Sequence, residues 1–351
     1  MASQNRETAP GGNIAAPASI RRQLRATGWA VALLVGMLAA VPASAQVVDC
    51  YALWGADEMG RYQRTSWGDW TTADGTVTTE TPCELYQPAS DNLSAEFGVE
   101  IKIYLPAGFE DRPHPEAPLG TAELIAQAVG DSLRTLRPRF EPFKITTALL
   151  QNVPRVFDDD DVVPTEEFDW YTMAEAMGSR NNGCRISVYV TQFVNRLEDG
   201  STTLASPEDV KASLAHEIFH CYQKKYFNAQ MNGAGGMDED GWWVEGTADF
   251  FADMVYPCAG ETADHAKGYV AKDRLNLQGF PYSTVTFYMH LANRHGFDLS
   301  GLSDFMGTMA TDTGFQRQHN ALAALPDIAA KFHDYGKAYT DGDIPCVGAG
   351  V

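Results

Sequence analysis

His216-Glu217-Ile218-Phe219-His220 constrains this chain more than any other stretch. On an α-helix, residues four apart lie one turn apart on the same face, so both imidazoles can reach one Zn²⁺ while Glu217 faces a water beside it. The segment must therefore be helical, with one face turned to a cleft. A helix start is written just upstream: Ser206-Pro207-Glu208-Asp209 supplies an N-cap serine, a first-turn proline and two acids that complement the helix dipole. From there Val210, Leu214, Ile218 and Cys221 recur at helical spacing. Glu208, Lys211, Lys224 and Lys225 are left for solvent, which predicts about five turns of helix.

A catalytic zinc needs three protein ligands and an open position. Trp242-Trp243-Val244-Glu245-Gly246-Thr247-Ala248-Asp249-Phe250-Phe251 supplies the candidate third ligand, Glu245. With a second helix starting near Trp243, Glu245 and Asp249 lie one turn apart and face the same way. Asp249 is then placed to accept the free ring N–H of a ligand histidine, fixing its tautomer. Gly246 and Ala248 are small where this helix must approach the first. Acids embedded between Trp243 and Phe250 do not fit an ordinary wet helix face. Cys221 points about 100° away from His220 and is not expected to ligate the metal.

At these residues the chain resembles the gluzincin metallopeptidases, the clan of thermolysin and the membrane alanyl aminopeptidases, whose pattern is HExxH followed by a Glu-x-x-x-Asp helix. WWVEGTADF looks especially like the W-x-x-E-G-x-A segment of the aminopeptidase branch. The likeness covers roughly Cys184 to Gly296. One departure is the longer spacing, residues 221–244, between His220 and Glu245; Asn232-Gly233-Ala234-Gly235-Gly236 reads as a flexible insertion within it. The resemblance implies an edge strand that pairs with the extended substrate backbone. Arg185 to Val194 has the β-branched, aromatic composition for it, which points to Ser187, Val188 and Tyr189 as substrate-backbone residues. It also implies an oxyanion donor, for which Tyr282 is the candidate and His290 and His295 the alternatives. Nothing like the aminopeptidase G-x-M-E-N signature precedes the metal helix, which favours endopeptidase action.

Arg21, Arg22 and Arg25 precede an apolar run from Trp29 to Val41, and Ala43-Ser44-Ala45 gives a small-residue cleavage site before Gln46. Residues 1–45 are thus expected to be a secretory signal, placing the chain outside the cell or in the periplasm, with no stable membrane association after cleavage. The six cysteines, Cys50, Cys83, Cys184, Cys221, Cys258 and Cys346, are an even count for an oxidising destination. Pairing them in sequence order would close three moderate loops, though spacing alone does not fix the connectivity. The formal net charge of −20 becomes about −23 without the signal's three net positive charges. That balance argues against a nucleic-acid partner and against anionic membranes. The acidic clusters at 158–161 and 238–240 lack calcium-loop spacing and read as solvated loops.

The expected fold class is α+β: a zincin-like bilobal domain, with a mixed sheet and the active-site helix in the N-terminal lobe and a mainly helical C-terminal lobe. After the signal, residues 46–95 read as a β-rich segment, 96–241 as the lobe carrying HEIFH and 242–351 as the helical lobe. Within them Val99 to Leu105 and Ile145 to Leu150 read as strands and Thr121 to Leu136 as a helix. Further helices are expected near 282–295, 302–310, 315–324 and 326–339. The functional expectation is a secreted metallopeptidase acting on a peptide or protein, with one catalytic Zn²⁺ held by His216, His220 and Glu245 and Glu217 as general base. A zinc hydrolase of a non-peptide substrate and a catalytically silent zincin-like binding protein remain the alternatives.

Overall fold

The computed structural model describes residues 47–48, 70–71, 77–78, 83–106, 120–150, 174–179, 183–189, 193–196, 202–227, 236–259, 284–310 and 315–346. The strands are β1 (Val47–Val48), β2 (Trp70–Thr71), β3 (Val77–Thr78), β4 (Cys83–Leu85), β5 (Ile101–Pro106), β6 (Ile145–Leu150), β7 (Ala174–Ser179), β8 (Gly183–Tyr189), β9 (Val194–Arg196) and β10 (Thr202–Leu204). The helices are α1 (Gln87–Phe97), α2 (Thr121–Leu136), α3 (Pro207–Phe227), α4 (Gly236–Val255), α5 (Val285–His295), α6 (Leu299–Met309), α7 (Phe315–Ala323) and α8 (Ile328–Asp341). The class is α+β, a mixed sheet followed by a largely helical second half, as expected. The described residues all lie in one compact unit, Ser44–Val351. The expected signal, residues 1–45, lies outside them.

Six strands form the main sheet in the order β1-β4-β5-β6-β8-β7. The centre is parallel, β5 with β6 and β6 with β8, whereas β1, β4 and β7 run antiparallel to their neighbours. A parallel pair needs a long crossover, and α2 lies on the one between β5 and β6. The central strands read as apolar runs because they are covered: Ile101, Ile103 and Leu105 of β5, Ile145 and Leu149 of β6, and Ile186 and Val188 of β8 are all buried. β9 and β10 form a separate two-stranded pairing, as do β2 and β3.

Helix α3 packs against α2 and α4 and against β7 and β8. Its start is a reciprocal capping box: Asp209 N donates to Ser206 Oγ at 3.1 Å, and Ser206 N donates to Asp209 Oδ2 at 2.8 Å. Because the helix is covered on more than one side, Val210, Leu214, Ile218 and Cys221 are buried together with Ala215, Phe219 and Tyr222. Across the seam with α4, Phe219 stacks on Phe251 with ring centroids 4.7 Å apart, and Ala215 and Ala248 are fully buried.

Several expectations need correction. The strand of β-branched composition is not an edge: β8 is flanked by β6 and β7 and spends its main-chain groups on both sides, with Ser187, Val188 and Tyr189 at 1% exposure or less. Ser187 and Val188, paired on both sides, cannot pair with a substrate backbone, and Tyr189 is paired with Leu150 of β6 and buried. Among the described residues the edge belongs to β7, and Val194 falls in β9. Residues 87–95, read as part of a β-rich segment, belong to α1. Helix α4 starts at Gly236 rather than near Trp243, and it runs unbroken across position 242, where the helical part was expected to begin.

Candidate metal centre

Two adjacent residues of α3 look in different directions because each step along a helix turns about 100°. His216 and His220 face α4, while Glu217 faces β7. The two rings meet edge to face, with centroids 4.5 Å apart at 87°. Opposite them stands Glu245 of α4: its Oε2 lies 3.2 Å from His216 Nε2 and 3.2 Å from His220 Nε2. All three donor atoms lie within 4.8 Å of one another.

What aims the rings is the hydrogen bonding of their other nitrogens. Asp249, one turn beyond Glu245, accepts from His216 Nδ1 at 2.7 Å. Gln223 Oε1 accepts from His220 Nδ1 at 2.7 Å. Gln223 is fully buried, and its amide donates across the seam to Val244 O and Thr247 Oγ1, each at 2.8 Å. With both Nδ1 atoms engaged, both Nε2 atoms converge beside Glu245 as the positions open to a metal once deprotonated. The sequence reading found Asp249 by its spacing from Glu245 and overlooked Gln223. The signal was present: Gln223 follows His220 by three positions, a helical-neighbour spacing.

Charge in the cluster is mutually compensated. Burial alone would favour a neutral His216, but the hydrogen bonds with Asp249 and Glu245 outweigh it and lift the ring well above its ordinary value. Burial is outweighed at His220 too, chiefly by the charge of Glu245. Burial would raise Glu245, and the two histidines hold it well below the carboxylate range.

The donor set fits one divalent ion. Bonds of about 2.0–2.1 Å at tetrahedral angles keep ligand atoms roughly 3.3 Å apart, close to the observed spacing. Each of the three side chains keeps about a tenth of its surface exposed, 12%, 12% and 10%, so a further small ligand can enter.

Glu217 stands beside this triad at the sheet edge. Ala176 N of β7 donates to its Oε2 at 2.7 Å. An acidic group with its partner on an edge strand lies where an extended chain could add to the sheet. Tyr282, the expected oxyanion donor, lies outside the described residues. His290 and His295 gather with Asp334 into a cluster distinct from His216, His220 and Glu245. Tyr288 is fully buried among Phe250, Phe297 and Phe305.

Of the six cysteines, Cys184 and Cys221 are bonded with Cα atoms 5.7 Å apart, and Cys258 and Cys346 with Cα atoms 5.4 Å apart. Cys83 is also disulfide-bonded, and its expected partner Cys50 lies outside the described residues. Among the described residues no helix is long and apolar enough to cross a membrane.

Residues 201–302, the stretch holding α3, α4 and α5, match a model described as a family of unknown function (DUF6055). No curated protein and no solved structure matches the chain.

Proposed function

We propose that this chain is a secreted zinc metallopeptidase of the gluzincin type, with a zincin-like bilobal catalytic fold and a preference for internal peptide bonds. The observation that carries the reading is the convergence of His216, His220 and Glu245, with Glu217 next along α3 and near enough to act electrostatically on both rings. His216, His220 and Glu245 would hold the Zn²⁺, which when bound supplies a Lewis acid to polarise the scissile carbonyl and acidify water. Glu217 takes the proton of the attacking water and delivers it to the departing amine. Asp249 and Gln223 keep the imidazoles aimed, so the centre needs little rearrangement during turnover.

Substrate main chain would add to β7 rather than β8. Ala176 already turns its N–H away from β8 and toward Glu217, so the outer side of β7 and the general base share one rim. Tyr282 remains the proposed oxyanion donor on the strength of the resemblance. Two disulfides and the signal-like N-terminus support an oxidising, extracytoplasmic location.

The test combines metal analysis with hydrolysis of a casein-like substrate. Folded protein should take up zinc at the triad, and His216→Ala or His220→Ala should abolish that uptake. Glu217→Gln should keep the zinc and lose at least about 100-fold in turnover, the scale of a missing general base. A folded chain that takes no zinc at the triad removes the metalloenzyme reading. Zinc uptake without cleavage of any peptide substrate would leave the non-peptide hydrolase and the silent binding protein.

A further inference from the structure

A second set of ligand-type side chains converges away from the triad: His290 and His295 of α5 with Asp334 of α8, their donor atoms all within 4.8 Å of one another. Asp334 Oδ2 lies 3.3 Å from His290 Nε2 and 3.2 Å from His295 Nε2. These separations match the roughly 3.3 Å kept by two ligands of a tetrahedral ion. His290 is the informative member. Its side chain is 1% exposed, and the contact of its Nε2 with Asp334 at 3.3 Å falls short of a well-formed hydrogen bond.

We propose that His290, His295 and Asp334 form a second divalent-metal site, of Zn²⁺ type, that clips α5 to α8. Two imidazoles and one carboxylate suit zinc or a neighbouring transition ion and not calcium or magnesium, which prefer all-oxygen shells. Burial, only partly countered by Asp334, keeps His290 below the ordinary imidazole value, and the neutral ring is the form that ligates. His295 and Asp334 keep 26% and 50% of their side chains exposed, so the ion enters from solvent and water completes its shell.

The location gives the clip a mechanical purpose. Helix α8 buries Ile328, Tyr335 and Ala338 and stacks Phe332 on Phe287 of α5 with ring centroids 4.6 Å apart, so its packing onto α5 lies beside the proposed clip. The same end of α5 is already fastened to the segment after α8: Asn293 Nδ2 donates to Pro345 O at 2.8 Å and Arg294 pairs with Asp343, while Cys346 ties that segment to Cys258 beyond α4. A metal at His290 and His295 would extend that fastening onto α8 itself.

The test loads the full chain with Zn²⁺, removes excess by dialysis and counts metal per chain in wild type, His295→Ala, Asp334→Asn, His220→Ala and His220→Ala/His295→Ala. Circular dichroism checks the fold of each, and the substitutions avoid buried His290. His295→Ala and Asp334→Asn should each lose about one zinc relative to wild type, His220→Ala should lose a different one, and the double variant should hold none. Zinc should raise the Tm of His220→Ala and leave that of the double variant unmoved. If His295→Ala holds as much zinc as wild type, or if zinc stabilises His220→Ala and the double variant alike, this site is overturned while the triad stands. If His295→Ala loses all the zinc and His220→Ala none, the second site stands and the triad reading falls.

Discussion

Gln223 shows how much of the triad's geometry rests on a neutral side chain. A ligand histidine needs its second nitrogen occupied, and a buried acceptor at His220 Nδ1 does this without adding a negative charge to a cluster that already holds Glu217, Glu245 and Asp249. Gln223 also donates to Val244 O and Thr247 Oγ1 on the partner helix, so the ring is referenced to the backbone that carries Glu245. Gln223→Leu should therefore lower zinc affinity at the triad by roughly 10- to 100-fold, the usual cost of removing such a partner. Gln223→Glu, which keeps an acceptor for Nδ1, should recover part of the loss. Competition with a fluorescent chelator measures both; equal affinity in the leucine variant would show that His220 is aimed by packing alone. Asp249→Ala should weaken zinc by a similar factor through His216.

Among the elements, α3 is fastened to the sheet by a covalent bond one residue beyond His220, since Cys221 is joined to Cys184 at the start of β8. Closing a chain segment of 37 residues removes denatured-state freedom worth about 4 kcal/mol in the loop-entropy account. Cys184→Ala/Cys221→Ala should consequently lower the Tm by roughly 6 °C for a unit of this size, measured by differential scanning calorimetry. An unchanged Tm would mean that packing of α3 on α2 and α4 already restrains the denatured chain or compensates the loss. The elements also show where sequence reading succeeds. Helices α2 and α3 were legible because apolar spacing and the Ser206 capping box act within one segment. The roles of β7 and β8 were not. The composition of Arg185-Ile186-Ser187-Val188-Tyr189 reports burial, and burial is greatest between two strands, so the same residues that suggest a strand argue against an edge. Ala174-Glu175-Ala176-Met177-Gly178-Ser179 has no β-branched residue, and only pairing with β8 makes it a strand. Helix α1 did leave a signal, Pro88 in the first turn and Gly98 in the left-handed conformation at the end, which the strand-like composition upstream obscured.

At the scale of the whole molecule, the proposed zinc would compete with protons and with folding for the same three side chains. With the metal absent, His216 holds its proton more tightly than an unfolded imidazole near 6.5, so its contribution to stability is complete below that pH and fades as pH rises through the elevated folded value. Glu245 works in the opposite sense: its depressed folded value adds stability above the ordinary carboxylate range, and this is lost as pH falls. The metal-free cluster is thus most stabilising in mildly acidic solution. Zinc reverses the preference, because both rings must give up their extra protons to ligate. At a free zinc concentration about 1,000 times Kd, binding contributes about 4 kcal/mol. The Tm rise produced by zinc should accordingly grow between about pH 6 and pH 8. Glu245→Gln, which weakens the metal and removes the carboxylate that holds the protons, should flatten that growth. Thermal melts of the His295→Ala background, with and without a chelator across this pH range, isolate the triad from the second cluster. A zinc effect that is constant or falls with pH would show that the histidines bind the ion without releasing protons, contrary to the charge compensation described for the site.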